Sequence, residues 1–143
     1  MVSIERSALV NYSAAQMYAL VNDIEQYPNF MQGCIAAEIL ERDEDVVVGK
    51  LTLGKAGIRY SFTTRNTLVP NESMRMKLVE GPFRSFDATW RFTSLSDSAC
   101  KVSLEMHFEW SGSLLGAAME KLFQHSANSQ VDSVIARARV LYG

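Results

Sequence analysis

Glu105-x-His107-x-Glu109 is the group whose residue types come nearest to a reactive site. A histidine between two carboxylates could trade protons or ligate a metal, because alternate residues of a strand share one face. Alternate residues also stand roughly 7 Å apart, too far for one ion to collect all three unaided. A solvated strand face is the plainer reading, and no metal site is expected. His125 falls on the polar side of a long helical segment, with Asp132 two turns on as the acid nearest in register. The chain has no Gly-x-Ser-x-Gly, no glycine-rich phosphate loop and no His-Glu-x-x-His. No catalytic residue is therefore assigned, and a binding protein rather than an enzyme is expected. Cys34 and Cys100 are far apart and lack metal-ligand spacing, so neither a zinc site nor a disulfide framework is read from them.

A second group is defined by charge. Arg59, Arg65, Arg75, Lys77, Arg91 and Lys101 alternate with apolar residues and outnumber Asp87, Glu105 and Glu109 on the same side of their strands. The chain as a whole carries a formal charge of −2, so no global field draws it to nucleic acid and DNA is not an expected partner. A local basic face can meet RNA phosphates, or it can be the ordinary solvated side of a sheet. No aromatic is interleaved with these cations, which counts against a platform for stacked single-stranded bases.

The elements that carry both groups follow from periodicity. Residues 2–11 read as a strand. Ser13-Ala14-Ala15-Gln16 then forms a capping box, with Tyr12 and Met17 placed as a hydrophobic staple. The helix behind it buries Met17, Leu20, Val21 and Ile24 and ends near Asp23. Tyr27-Pro28 turns the chain before a further short helical piece at Asn29–Gln32, closed by Gly33. Six more strands are expected, at 34–42, 45–54, 57–69, 72–79, 85–95 and 99–110, with turn residues between them. Such short links fit hairpins and an antiparallel meander.

The last four strands alternate cleanly, giving a dry face and a wet face. Ile58, Tyr60, Phe62, Leu68, Met74, Met76, Leu78, Phe86, Ala88, Trp90, Phe92, Met106, Phe108 and Trp110 belong to the dry one. Residues 113–142 then read as one long helix, with an apolar stripe of Leu115, Met119, Leu122, Phe123, Ala127, Val131, Val134, Ala138 and Leu141. The expected architecture is α+β, one domain over 1–143 in which a curved seven-stranded antiparallel sheet grips a C-terminal helix. At 48% hydrophobic and 21% charged residues, the composition is that of a globular protein. No stretch is apolar enough to cross a bilayer, and Glu5 and Arg6 come too early for a signal peptide, so a cytoplasmic protein is expected.

One helix is about 10 Å across, whereas seven strands make a sheet some 30 Å wide. Either the sheet curls tightly round the helix or a gap remains. A gap lined by Tyr60, Phe62, Met76, Trp90, Phe92, Met106, Phe108, Met119 and Phe123 would suit a long apolar ligand; the same residues also suit a filled core. Thr64 and Asn66 continue the dry face as polar residues, facing either a ligand's polar head or water at the sheet edge.

Several local motifs carry a resemblance. They are Val21-Asn22-Asp23-Ile24-Glu25-Gln26-Tyr27-Pro28-Asn29-Phe30 with Gly33-Cys34, then Phe62-Thr63-Thr64-Arg65-Asn66, Leu78-Val79-Glu80-Gly81-Pro82-Phe83, Trp90-Arg91-Phe92 and Phe108-Glu109. In these residues, and in their order, the chain resembles the START-like, helix-grip family of ribosome association toxins and coenzyme Q-binding proteins, over nearly its whole length. The resemblance implies a hydrophobic tunnel for ubiquinone or a related polyprenyl lipid, with Tyr27, Pro28 and Phe30 as its lid and Phe62, Trp90 and Phe108 as its wall. It implies no required cofactor. It also implies a second role, docking on the large ribosomal subunit and blocking subunit association, for which Arg59, Arg65, Arg75, Lys77 and Arg91 are the contact residues. The fold further occurs in polyketide cyclases, which act by shaping a reactive chain. A lipid ligand implies transient contact with a membrane surface, at the periphery of the inner membrane.

Overall fold

The computed structural model describes residues 1–55, 57–111 and 116–143. Its strands are β1 (Val2–Val10), β2 (Cys34–Arg42), β3 (Val46–Lys55), β4 (Ile58–Val69), β5 (Ser73–Glu80), β6 (Phe83–Ser96) and β7 (Ala99–Trp110). They form one antiparallel sheet in the order β1-β7-β6-β5-β4-β3-β2. From β2 to β7 each strand pairs with its sequence neighbour, as short turns dictate. β1 returns to the far edge beside β7, with Val2 opposite Phe108 and Val10 opposite Cys100.

Between β1 and β2 the chain lays down α1 (Ala14–Asn22) and a 3-10 helix (Ile24–Asn29). The capping box is present: Gln16 N–H donates to Ser13 Oγ at 3.1 Å, and Ser13 N–H donates to Gln16 Oε1 at 2.9 Å. The second helical piece is Ile24–Asn29, not the Asn29–Gln32 expected from the proline. A 3-10 turn tolerates Pro28 because only one backbone donor is forfeited. The Tyr27 carbonyl then closes the turn, accepting from Phe30 N–H at 3.1 Å and Met31 N–H at 2.7 Å.

The long helix α2 is described over Gly116–Tyr142; the expected first turn, with Leu115, lies outside the described residues. α2 packs against β1 and β7 on one side and β3 and β4 on the other, so the sheet bends round it. Leu122, Phe123, Ala127, Val131, Val134 and Ala138 are buried along its inner face, joined by Ser126. Leu141, read as the last residue of that stripe, is 49% exposed because the helix has by then run past the sheet. The alternation of the dry face is as expected: Cys100, Val102, Leu104, Met106 and Phe108 are each buried to 1% exposure or less.

β6 begins two residues before the expected boundary. A register shift between Phe83 and Ser85 breaks its period of two, so Phe83 and Phe86 both face inward.

Candidate functional site

Two surfaces of this sheet can do chemistry, the concave face under α2 and the open outward face. On the concave face the aromatic residues from three strands, β4, β6 and β7, converge on α2. The Phe123 ring lies 4.8 Å from Phe108, 4.9 Å from Phe83, 5.7 Å from Phe62 and 6.0 Å from Phe86, all edge-on. Phe83 also meets Trp110 at 5.0 Å, and Trp110 meets Tyr60 at 5.3 Å. Edge-to-face contacts at these separations are favourable ring packing. Round Phe123, rings fill the width that one helix leaves uncovered.

The candidate cavity residues therefore fall into separate groups. Tyr60, Phe62, Phe108 and Phe123 belong to this cluster. Trp90 and Phe92 stack on each other at 6.4 Å, and Phe92 meets Tyr18 of α1 at 5.9 Å. Met106 is fully buried, while Met76 and Met119 pack at the margin of the core. Thr64 donates to Asn66 Oδ1 at 2.7 Å, and both residues are buried, so the two polar residues of the dry face satisfy each other. Phe83, which joins most of these rings, was missed by the sequence reading. It follows Gly81-Pro82, a turn signal, and the bulge puts it out of step with Phe86.

Tyr27 and Phe30 are brought together beside α2. Their rings meet at 5.5 Å, and the Arg137 guanidinium sits 5.4 Å from the Phe30 centroid. The Tyr27 hydroxyl donates to the Val21 carbonyl, and burial pushes its pKa well up. Burial likewise raises the Cys34 thiol to about 11, so it stays protonated and unreactive at neutral pH. Tyr60 differs: its hydroxyl is buried with no hydrogen-bond partner among the described residues, and desolvation raises its pKa. An unpaired buried hydroxyl costs stability.

The outward face separates cations that are in ion pairs from cations that are not. On β4 and β5, Arg65 stands directly opposite Lys77, and Arg75 sits one row on, between Thr67 and Thr89. All three cations are exposed, and among the described residues none is in an ion pair. Arg59 lies apart, at the β3–β4 turn opposite Gly54. Arg91 is engaged instead, 3.6 Å from Glu105.

Beyond Arg91 the charge is mixed, Glu105 and Glu109 sharing the surface with Lys101 and Arg84. His107 lies 2.9 Å from Glu105 Oε1 through Nε2 and 2.9 Å from Ser3 Oγ through Nδ1. The hydrogen bond to Glu105 raises the His107 pKa and lowers that of Glu105. Glu109 is drawn away to Arg84 at 3.9 Å, so the three residues of the Glu-x-His-x-Glu run do not converge. No cluster able to hold a metal ion exists among the described residues. A shallow cleft of about 440 Å³ on this face is lined by both signs, with Arg75, Asp87, Arg91, Glu105 and His107 among its residues. His125 sits elsewhere, on α2, 2.9 Å from the Gln32 amide.

Comparison with known proteins agrees with this architecture. Residues 10–135 match the family model of polyketide cyclase/dehydrase and lipid transport proteins. The chain is 41% identical over 140 residues to the ribosome association toxin RatA of Pseudomonas aeruginosa, covering 98% of this chain and 97% of that one. It is 22% identical over 146 residues to the mitochondrial coenzyme Q-binding protein COQ10 of Dictyostelium discoideum, covering 99% of this chain and 71% of that one. Among solved structures, the Zhui aromatase/cyclase from Streptomyces superimposes with a TM-score of 0.80 at 18% identity, over 96% of this chain and 93% of that one. The chain thus belongs to the polyketide cyclase/dehydrase and lipid transport family, on the branch of the RatA proteins.

Proposed function

We propose that the protein associates with the ribosome, binding the large subunit through RNA phosphates and opposing subunit association. The observation that carries this reading is the 41% identity, sustained over nearly the full length of both chains, to a protein named as a ribosome association toxin. The geometry supports it on β4 and β5, where Arg65, Arg75 and Lys77 form a cationic strip that makes no ion pair among the described residues, although Asp87 stands opposite Lys77 at its margin. Phosphates are the natural counter-charges for such a strip, and a strand face without aromatics suits backbone contacts rather than stacking. Arg91 contributes less than its sequence position suggests, because Glu105 already neutralises it. The work of this protein is then binding, not catalysis.

The test is over-expression followed by sucrose-gradient profiling. Whole ribosomes should be depleted and the protein should migrate with the large subunit. An unchanged profile with the protein at the top of the gradient sinks the reading. Charge reversal at Arg65 and Lys77 together should restore the profile while the protein remains folded.

A second reading, a ubiquinone or polyprenyl ligand under α2, rests on the buried Tyr60 hydroxyl, which has no partner among the described residues, and on the distant coenzyme Q-binding relative. A quinone carbonyl is an acceptor such a hydroxyl lacks. Against it stands the ring cluster round Phe123, which a guest would have to part. Organic extraction and mass spectrometry of the purified protein should find a co-purifying quinone; empty extracts, with no uptake of short-chain quinone, would rule it out.

A further inference from the structure

The end of the molecule where the β3–β4 turn meets the first turns of α2 carries a different chemistry from either face described so far. There Ile58, Ala118 and Leu122 floor an apolar hollow of about 250 Å³, and Lys55, Lys121 and His125 stand round it. Ile35 adds to the apolar surface: it is 46% exposed and lies against Gly54, where a Cβ would come within 2.7 Å of its Cδ1. Lys55, Arg59 and Lys121 are all exposed, and no described carboxylate pairs with any of them. His125 is tied to Gln32.

The hollow is smaller than the roughly 300–1,000 Å³ of a pocket that encloses a whole ligand, so it seats a part of something larger. An RNA backbone would match the cations and leave the apolar floor uncovered. A lipid head-group layer matches both, offering phosphates to the lysines and acyl carbons to Ile35, Ile58 and Leu122. No described helix is long and apolar enough to cross a membrane, so the contact this end makes is peripheral.

We propose that this end is a docking site for an anionic phospholipid surface, with Ile35 and Ile58 entering the interface while Lys55 and Lys121 meet head-group phosphates. The site is independent of the ribosome reading, since it shares no residue with the Arg65–Arg75–Lys77 strip.

Co-sedimentation of the full chain with vesicles tests it, using phosphatidylcholine alone and phosphatidylcholine containing a third phosphatidylglycerol. The protein should bind the anionic vesicles and not the neutral ones. Lys55→Glu with Lys121→Glu should weaken that binding about tenfold or more, and Ile35→Ser, a surface change that keeps the charge, should weaken it severalfold. Arg65→Glu with Lys77→Glu should leave vesicle binding within about twofold of the wild type, which separates general cationic attraction from this site. The proposal is overturned by any of three results: no binding to anionic vesicles, unchanged binding by the Lys55/Lys121 variant, or loss confined to the Arg65/Lys77 variant.

Discussion

Arg65 and Lys77 face each other across β4 and β5 as like charges, and among the described residues no carboxylate forms an ion pair with either. Directly opposed like charges destabilise a strand pair. On its other side Lys77 stands opposite Asp87 of β6, with no ion pair between them, whereas Arg65 faces Val48.

Arg65→Glu should therefore move stability and binding in opposite directions, whereas reversing Lys77 would set a new carboxylate opposite Asp87. The new pair with Lys77 should raise stability by about 0.2–1 kcal/mol, read as a higher Tm. Association with the large subunit should fall, and its dependence on salt should flatten by about one unit of log–log slope or more. A variant that loses stability and keeps ribosome binding would contradict both halves.

Phe123→Ala removes the ring on which Phe62, Phe83, Phe86 and Phe108 converge. Truncating a fully buried phenylalanine costs about 3–5 kcal/mol, and urea unfolding should show a loss in that range. The vacated space also makes a direct test of ligand capacity, since a quinone bound under α2 should be taken up more readily by this variant than by the wild type.

Tyr60→Phe deletes a buried hydroxyl that has no partner among the described residues. Stability should be unchanged or higher, by about 1 kcal/mol, because nothing is lost but a desolvated dipole. If quinone is the ligand, affinity for it should fall; equal affinity in both proteins would remove Tyr60 from the site.

Gly81→Ala should be destabilising out of proportion to its size. Gly81 sits at φ +157°, and a Cβ there would meet the Phe62 Cβ at 2.6 Å. The turn backbone lies directly on that ring's stem, so either the turn or β4 must shift. A loss of about 1–3 kcal/mol in denaturant unfolding is expected.

The His107–Glu105 pair sets a pH window. Glu105 has a lowered pKa, so its contribution is present above the ordinary glutamate value and is lost as pH falls through the lowered one. His107 has a raised pKa, so its contribution is complete below the ordinary histidine value and is lost as pH rises through the raised one. Both groups are ionised together between those two limits, where stability should be highest. NMR titration should place the His107 pKa above 6.5, and Glu105→Gln should bring it down.

Much of this was legible in the chain. Alternation along β4, β6 and β7 placed Tyr60, Trp90 and Phe108 on the inner face, and the Ser13–Gln16 box placed the start of α1. What failed did so where one residue breaks a period. The bulge between Phe83 and Ser85 hid Phe83, the hub of the ring cluster, and Pro28 displaced the expected second helix by several residues. Pairing across the outward face was also out of reach. Charge counting treated Arg91 and Arg75 as equals, whereas Glu105 lies in reach of Arg91, and none of the described carboxylates pairs with Arg75.

Ser126, midway along α2, donates to the Gln32 carbonyl at 2.6 Å, and the Gly33 carbonyl beside it accepts from Gly54 of β3 at 3.0 Å. Farther on, Asn128 takes a bond from Arg6 and Tyr142 gives one to the Gln16 carbonyl. From Ser126 onward the rod is thus bolted to three separate parts of the protein, whereas ahead of it the described residues hold it by the His125 bond and by the grease of Leu122 and Phe123. Any lifting of the rod off the sheet would pivot on that central bolt, swinging the front upward like a lever and leaving the rear in its seat.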